Sequence, residues 1–489
     1  MMKRLIYIAI FSLLLFSCKE DIQHAEKIDS YPEIYPDYIG VTIPMNIAPL
    51  NFTVDSSDYS SLELKILAGN EVAFQEEYKN NIDIPQSAWQ DLLAKNCSDS
   101  IQFEVSVKKA DQWFQYKPFS MYVSPDSIDY GIVYRLISPG YETYSKMGIY
   151  ERELSGYNQR PLFENTQVTK SCVNCHTFNR GNPQQQSIHI RGAQGATIIK
   201  TNGETKILES ANDSILASCM YPFWHPSGKY IAYSTNKVRQ TFHTTATDLI
   251  ETFDEASDLL VYDIENNTLL TSDLISGSSF ETFPAFSADG KTLYFASAAH
   301  KDLPRELKET FYNICSISFD PETGIFGNKV DTVVNLAIDR KSATLPRASY
   351  DGKYLMYNKI NYGSFPMYHT DADLWLLDLN SGETRPLNEV NSAYSDGYHN
   401  WSSNSRWFVF ESRRDGDLFA RPYFSHIDEN GNVGKPFMLP QQNPDEYYQD
   451  LFYAYNTVEF VTGKVPFNAR KVEKELMQPD REEMLFERK

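Results

Sequence analysis

Short runs of alternating apolar and polar residues recur along most of the chain, and this two-residue period predicts β-strands. From residue 130 onward one pattern repeats: an aromatic-rich hairpin that begins near a proline and turns at a glycine. It covers 222–234, 284–297 and 346–357, and a variant lies at 399–410. A turn residue with positive φ favours glycine. The turn glycines, at equal intervals along the chain, are Gly228, Gly290 and Gly352.

A second element follows these hairpins: a strand, an acidic or polar turn, and a return strand. Its first strand lies at 258–263, 313–319, 373–378 and 417–425. Two hairpins make a four-stranded sheet, and repeated sheets of this kind around a channel make a β-propeller. We therefore predict an all-β fold in which a six-bladed propeller forms the main body.

The two ends of the repeat are incomplete in complementary ways. A second element at 147–162 has no hairpin of its own, and a hairpin at 450–463 has no second element after it. Pairing of these two segments would complete the sixth blade and close the ring. A seven-bladed ring is the alternative if residues 130–145 contain a further blade.

The remaining residues divide into shorter segments. Short β-runs between residues 41 and 123, with one helix at 87–94 begun by Ser87, predict a small N-terminal β-sandwich. Polar residues with scattered proline at 18–37 are typical of a tether. The predicted organisation is a signal peptide at 1–17, the tether at 18–37, a β-sandwich-like domain at 38–125, the propeller at 126–465 and a C-terminal tail at 466–489.

The first residues have the pattern of an export signal. A charged start is followed by an apolar stretch from Leu5 to Phe16, which is too short to span a bilayer. The tetrapeptide Leu-Phe-Ser-Cys ending at Cys18 resembles the bacterial lipobox, and this resemblance implies a lipid anchor on Cys18. Residues 19–21 resemble the export tag of surface-exposed lipoproteins of Bacteroidetes-type bacteria, with a charged linker as the alternative. We expect an outer-membrane lipoprotein, either periplasmic or surface-exposed.

Charge and cysteine content narrow the function classes. The net charge of −20 argues against nucleic acid as a partner, because phosphate binding needs clustered Lys and Arg. Cys97, Cys219 and Cys315 stand singly among strand-like residues and do not make a disulfide framework. We expect these three cysteines to be buried thiols.

The segment Cys172-Val-Asn-Cys175-His176 is the motif with the most specific chemistry. At this spacing two thiols add to the vinyl groups of haem c while the imidazole reaches the iron. The export signal agrees with this interpretation, because covalent haem attachment in such bacteria takes place outside the cytoplasm. Zinc is disfavoured because no second ligand pair is suitably spaced, and a thioredoxin-like disulfide because no βαβ unit surrounds the motif. Another metal, a redox-active dithiol and an inert motif remain alternatives.

The repeat suggests where a second iron ligand would come from. Alignment of the hairpins places His176 near the position of His399, so both side chains are expected to face the same end of the channel. His399 is therefore the first candidate for the distal ligand, and His189 is the second. Three further candidates have no geometric argument behind them, and structural roles are the default: His225, His243 and His369.

Several segments resemble known proteins. The Ser-x-Asp-Gly-Lys-aromatic hairpins resemble the TolB-like propeller repeat. Nearly all of the chain after Cys18 resembles a group of Bacteroidetes-type lipoproteins, and this resemblance implies the architecture but no activity. The matching stretches are 41–52, 172–178, 224–234, 398–414 and 421–424.

Three functions are compatible with these observations. The first is an outer-membrane lipoprotein cytochrome that exchanges electrons with a redox or envelope protein. The second is a non-enzymatic scaffold, as TolB is, that binds a protein or glycan. The third is a haem enzyme with an open ligand position. The sequence contains no phosphate loop, nucleophile elbow or His-Glu-x-x-His motif, so a conventional enzyme is not expected. Structural roles are expected for the carboxylates that recur with the repeat, Asp258, Asp263, Asp373 and Asp378.

Overall fold

The structure is a computed structural model that describes residues 25–489, apart from 56–57, 139–145, 169–170, 193, 202, 210–214, 244–249, 417 and 479–480. The predicted signal peptide, Cys18 and the tag at 19–21 lie outside the described residues. None of the helices in the described part of the chain has the length and hydropathy needed to cross a bilayer.

The N-terminal unit consists of a seven-stranded sheet, a separate two-stranded sheet and one helix. Trp89 anchors the helix, since its side chain is fully buried and its indole N–H donates to the carbonyl of Ile47 at 3.1 Å. The elements are β1 (Glu26–Lys27), β2 (Ile34–Tyr35), β3 (Thr42–Pro44), β4 (Thr53–Val54), β5 (Ser61–Ala68), β6 (Glu71–Tyr78), α1 (Gln86–Lys95), β7 (Ser100–Lys109), β8 (Gln112–Gln115) and β9 (Phe119–Ser124).

Two details of this unit differ from the sequence-based prediction. Part of the predicted tether is folded, because β1 pairs with β8 and β2 pairs with β4. Asp37 also forms an ion pair of 2.7 Å with Lys435, which attaches this stretch to the propeller. Helix α1 follows Pro85 and has no side-chain cap, so Ser87 lies inside the helix and does not begin it.

The main body is a β-propeller of six antiparallel blades, as predicted. Its strands follow one another from the channel outward in each blade. Blade 1 contains β10 (Gly131–Ile137), β11 (Gly148–Glu153) and β12 (Gln159–Glu164); blade 2, β13 (Ser171–Asn179), β14 (Asn182–Gly192), β15 (Ala196–Thr201) and β16 (Glu204–Glu209); blade 3, β17 (Cys219–Trp224), β18 (Tyr230–Phe242), β19 (Ile250–Asp263) and β20 (Thr268–Thr271); blade 4, β21 (Phe280–Phe286), β22 (Thr292–Ala298), β23 (Asn313–Asp320) and β24 (Ile325–Val334); blade 5, β25 (Ser342–Ala348), β26 (Tyr354–Ile360), β27 (Asp373–Asp378) and β28 (Thr384–Pro386); blade 6, β29 (Asp396–Trp401), β30 (Trp407–Ser412), β31 (Arg421–His426) and β32 (Phe437–Met438).

The ring closes as the sequence predicts. After a short helix α2 (Pro444–Asp450), strand β33 (Ala454–Val461) pairs with β10 and becomes the innermost strand of blade 1. Residues 131–137 are thus the second strand of that blade and do not form a seventh blade. Both ends of the propeller therefore contribute to one sheet, which joins the N-terminal and C-terminal parts of the repeat.

The repeat turns have the geometry that their residues favour. Gly228, Gly290 and Gly352 have φ values of 74°, 75° and 75°, a region that L side chains rarely adopt. Before the second of these turns, Asp289 accepts hydrogen bonds from the hydroxyl of Ser287 at 2.6 Å and from the amide of Lys291 at 3.1 Å. These contacts explain the recurring Ser-x-Asp-Gly-Lys pattern.

The C-terminal tail contacts three consecutive blades, 1, 2 and 3. Helix α3 (Ala469–Leu476) buries Val472 and Leu476 in the core that blades 1 and 2 share. Two short strands then extend the blade edges in parallel: β34 (Glu482–Glu483) pairs with β16, and β35 (Leu485–Arg488) pairs with β20. The predicted tail is therefore part of the folded propeller. Short 3-10 turns lie elsewhere in the propeller, at Asn165–Gln167, Leu307–Glu309, Ala337–Asp339 and Pro366–Tyr368.

Cys97, Cys219 and Cys315 form no disulfide. Cys219 and Cys315 are buried in blade interfaces, as predicted. Cys97 is exposed, so the prediction of a buried thiol is wrong there. The reason is its position just after the end of α1, where the chain turns at the surface.

Candidate functional site

The innermost strands of the blades carry β-bulges at a shared position. In five blades one bulged residue has a positive φ between 47° and 54°, which is uncommon for a side chain larger than glycine. A bulge changes the direction of a side chain, and all five of these residues line a cavity in the central channel. They are Tyr221, Phe283, Leu345, Tyr398 and Thr457.

The motif occupies the corresponding strand of blade 2. Its strand, β13, has a register shift between Val173 and Cys175. Cys172, Cys175 and His176 all line the central cavity, whose volume is about 990 Å³. The structure therefore brings the three predicted site residues together on one wall of a chamber that can hold a small molecule.

A methionine that the sequence analysis missed lies next to the first cysteine. The Sδ atom of Met147 is 3.3 Å from Sγ of Cys172, and both residues line the cavity. Asn165 fixes this methionine, because its side chain accepts from the amide of Met147 at 3.0 Å and its own amide donates back at 2.9 Å. The two sulfur atoms come from neighbouring blades, so motif spacing could not reveal the contact.

The side chain of His176 is buried, with an exposed fraction of 1%. Burial lowers the pKa of His176 to about 4, and the charge of Arg135 lowers it further. Its Nε2 atom donates to the carbonyl of Val133 at 3.3 Å, and a hydrogen bond with the backbone of Thr457 likewise opposes the fall in pKa. Hydrogen bonds of this kind to the backbone fix the orientation of an imidazole, as they do for histidines that bind metals.

The two histidines predicted as distal ligands do not line the cavity. His399 is buried at 3% exposure, and burial together with the charge of Arg347 lowers its pKa to about 3. The prediction that His399 faces the channel is wrong because the bulge directs the preceding residue, Tyr398, into the cavity. His189 lies opposite Cys175 in the β-ladder but contacts Thr197 Oγ1 through Nδ1 at 3.0 Å.

The three other candidate histidines have structural surroundings. His225 joins two blades, because its Nε2 atom lies 3.0 Å from the carbonyl of Gly290. His243 lies at the surface, 2.8 Å from Glu251, and His369 lies 3.7 Å from Asp371. Of the histidines in the described residues, His176 is thus the one that lines the central cavity.

Charged side chains line the central cavity. Glu459 accepts a hydrogen bond from the amide of Phe178 at 3.0 Å, and burial raises the pKa of this carboxyl to about 8, against the opposing charge of Arg347. Arg135 and Arg191 also line the cavity. With the aromatic bulge residues between them, these side chains suit a largely apolar ligand that carries acidic groups.

A long hairpin of blade 3 covers part of the cavity. Strands β18 and β19 have 13 and 14 residues and extend beyond the blade, where Val238, Gln240 and Thr252 line the cavity. The Tyr362 hydroxyl of blade 5 donates to the carboxylate of Glu251 on this hairpin. We call residues 236–243 and 250–257 the arm.

Comparison with known proteins gives distant similarities. No family model matches the chain. The chain is similar to dipeptidyl-peptidase 5 of Porphyromonas gingivalis, with 22% identity over 176 residues that cover 35% of this chain and 21% of that protein. Among solved structures it is similar to a puromycin-hydrolyzing peptidase of Mycobacterium tuberculosis, with a TM-score of 0.34, 11% identity and coverage of 71% of this chain and 52% of that one. Prolyl oligopeptidase B from Galerina marginata gives a TM-score of 0.35 and 11% identity, covering 61% and 43%.

These similarities carry no activity over to the chain. It spans about a fifth of the curated relative and about half of the first solved structure. What the molecule itself shows is a β-propeller scaffold, and a central cavity of this kind is compatible with a binding role.

Proposed function

We propose that the propeller binds one haem c in its central cavity and transfers electrons. The observation that carries this proposal is the position of Cys172, Cys175 and His176, which all line one cavity of about 990 Å³. Two thiols followed directly by a histidine are the groups that covalent haem attachment requires.

The residues present fit such a group. Cys172 and Cys175 would hold the porphyrin through thioether bonds, and the neutral imidazole of His176 would be the iron ligand. When bound, a haem supplies reversible one-electron chemistry. The aromatic bulge residues would give the porphyrin apolar contacts, and the arginines on the cavity wall would offer partners for its carboxylate groups.

Location is part of the same proposal. An export signal ending in a lipobox supports a lipoprotein anchored through Cys18, facing the periplasm or the cell surface. Haem attachment outside the cytoplasm is consistent with such a route. The electron partner would be another redox or envelope protein, and the acidic surface argues against nucleic acid.

Optical spectroscopy tests the proposal. The full chain is exported from cells that contain the haem-attachment machinery, purified, and measured before and after denaturation. We expect a Soret band that survives denaturation and is lost in Cys172→Ser/Cys175→Ser. Cys219→Ser is the matched control, because Cys219 is a fully buried cysteine on the innermost strand of the next blade. A colourless wild-type protein would contradict the proposal.

The second candidate function is a non-enzymatic scaffold whose cavity binds a protein segment or glycan. The position of the arm over the cavity favours this candidate, since a covering hairpin can regulate access for an exchangeable ligand. In that case Cys172→Ser/Cys175→Ser would leave binding and phenotype unchanged, whereas a cytochrome would lose its function.

A further inference from the structure

The bulge in β13 brings both thiols of the motif to the same side of the strand. In a regular strand, residues three positions apart face opposite sides of the sheet. The register shift between Val173 and Cys175 reverses this relation, so Cys172 and Cys175 both line the central cavity. Their partners in the ladder, Arg191 and His189, are two residues apart on β14. The two thiols are therefore adjacent on one face of the strand.

A third sulfur atom lies beside the first thiol. Sδ of Met147 is 3.3 Å from Sγ of Cys172, and Met147 also lines the cavity. A metal ion bonds to sulfur at about 2.3 Å, so two sulfur ligands of one three-coordinate ion lie roughly 4 Å apart. The flexible side chain of Met147 needs only a small outward movement to admit an ion between the two sulfur atoms.

Two thiols and a thioether favour a soft metal ion. Ligands of this kind select Cu⁺, whereas carboxylate and carbonyl oxygens suit Mg²⁺ or Ca²⁺. A structural zinc site needs four ligands, and no group of three His, Cys, Asp or Glu side chains in the described parts of the chain is arranged to hold a metal. The imidazole of His176 is engaged elsewhere, since its Nε2 atom lies 3.3 Å from the carbonyl of Val133. The set therefore fits a Cu⁺ ion with three sulfur ligands.

The surroundings of the sulfur atoms suit such a complex. One Cu⁺ ion bound by two thiolates and a neutral thioether has a net negative charge. Arg191 is the ladder partner of Cys172 and lines the same cavity, so its positive charge is close to the first thiol. A nearby guanidinium favours the thiolate, which is the form that binds metals. Cys175 and Met147 are 6% and 7% exposed, so these two sulfur-bearing side chains are largely shielded from solvent.

We propose that the haem-free chain binds one Cu⁺ ion through Cys172, Cys175 and Met147, with Arg191 offsetting the charge of the complex. Both thiols release their protons when the ion binds, and the oxidation state of copper does not change. The site goes beyond the proposed haem function, because covalent attachment of haem would convert both thiols to thioethers. Haem and copper are thus alternative occupants of the same cavity wall.

Titration of the haem-free full chain with Cu⁺ tests this site. The chain is exported from cells without the haem-attachment machinery, and its thiols are reduced and counted. Cu⁺ is then supplied anaerobically as its complex with the chromophoric chelator bicinchoninate. We expect the chain to take one equivalent of Cu⁺ from the chelator, and X-ray absorption to show three sulfur ligands and no imidazole.

The thioether is the ligand that separates this site from a simple pair of thiols. Met147→Leu keeps an apolar side chain of similar size and removes the sulfur, so we expect it to weaken Cu⁺ binding by at least about tenfold. Met367→Leu is the matched control, because Met367 also lines the cavity but belongs to the turn Pro366–Tyr368 of blade 5. Cys172→Ser and Cys175→Ser should each abolish uptake of the ion.

Other outcomes would overturn the proposal. Equal affinities of Met147→Leu and the wild type would show that the thioether is not a ligand, and a nitrogen ligand in the absorption spectrum would contradict the ligand set. Failure of the wild type to take up Cu⁺ with both thiols reduced would exclude the site. The haem proposal fails separately, through a colourless chain from cells that attach haem. Circular dichroism of each variant separates loss of binding from loss of fold.

Discussion

The side chain of Glu459 lines the central cavity, and burial makes the ionised form of its carboxyl group energetically unfavourable. Burial raises its pKa from the ordinary value of 4.5 to about 8, although Arg347 opposes the shift. Between these two values the folded protein holds a proton that the unfolded chain has released. The free energy of unfolding contributed by this group therefore falls as the pH rises from about 4.5 to about 8.

Replacement of this residue by its neutral isostere should remove that pH dependence. Glu459→Gln keeps an oxygen that accepts from the amide of Phe178, and it carries no charge at any pH. We expect the variant to raise the free energy of unfolding at pH 9 by roughly 1–3 kcal/mol and to change it little at pH 5. Urea unfolding at both pH values measures the effect. Glu71→Gln, on an exposed strand, should leave the profile unchanged, and equal profiles for Glu459→Gln and the wild type would contradict the argument.

At the residue scale, the motif could be predicted from the sequence, but the other residues around it could not. The motif residues could be identified, because the spacing of Cys172, Cys175 and His176 is itself a chemical signal. Alignment of the repeats predicts that the side chain of His399 faces the channel, but a bulge directs the side chain of Tyr398 there. Met147 carries no local signal, since its contact with Cys172 exists only between neighbouring blades.

At the level of elements, the tail adds edge strands to blades 2 and 3. Pairing of β35 with β20 satisfies backbone groups that would otherwise form an exposed sheet edge. Met484 lies between the two tail strands and is 4% exposed, whereas Leu485 is 63% exposed. These adjacent apolar residues differ strongly in burial, so substitutions at the two positions test whether the tail is docked against the blades.

A polar substitution should be costly at one of the two positions only. We expect Met484→Ser to lower the free energy of unfolding by roughly 2–4 kcal/mol, because a buried apolar side chain is lost. Leu485→Ser should change it by less than about 0.5 kcal/mol. Denaturant titration measures both, and similar losses for the two variants would show that the tail is not docked as described.

A side-chain hydrogen bond from the hydroxyl of Tyr362 to the carboxylate of Glu251 holds the arm to blade 5. Tyr362→Phe removes the donor and keeps the ring. We expect opening of the arm to become easier by about 1 kcal/mol, which corresponds to roughly fivefold faster amide exchange at 236–242 and 250–257. Tyr394→Phe, at an exposed tyrosine, is the control, and exchange that accelerates equally in all blades would contradict a local role for this bond.

Elements with a repeating pattern could be predicted, and elements without one could not. The hairpins at 284–297 and 346–357 carry turn glycines and alternating apolar residues, and both form the expected strands. The arm has mostly polar residues beyond Asn236, so nothing in its pattern indicates strands of that length. The short strands at 26–27 and 34–35 likewise exist only through their partners.

At the scale of the whole molecule, ring closure gives the cavity its walls. Strand β33 of the last repeat joins β10 of the first, and all six innermost strands then contribute side chains to one chamber. The N-terminal unit packs against this closed ring, where the side-chain amide of Asn51 donates to the carbonyl of Gln442 at 2.9 Å. The motif therefore faces the central cavity, where the proposed haem would be held.

The intact mass of the exported, purified full chain tests the haem proposal most directly. The account predicts a mass that exceeds that of the lipidated polypeptide by one haem, and loss of this increment in Cys172→Ser/Cys175→Ser but not in Cys219→Ser. A wild-type mass without the increment, from cells that attach haem to a control cytochrome, would contradict it.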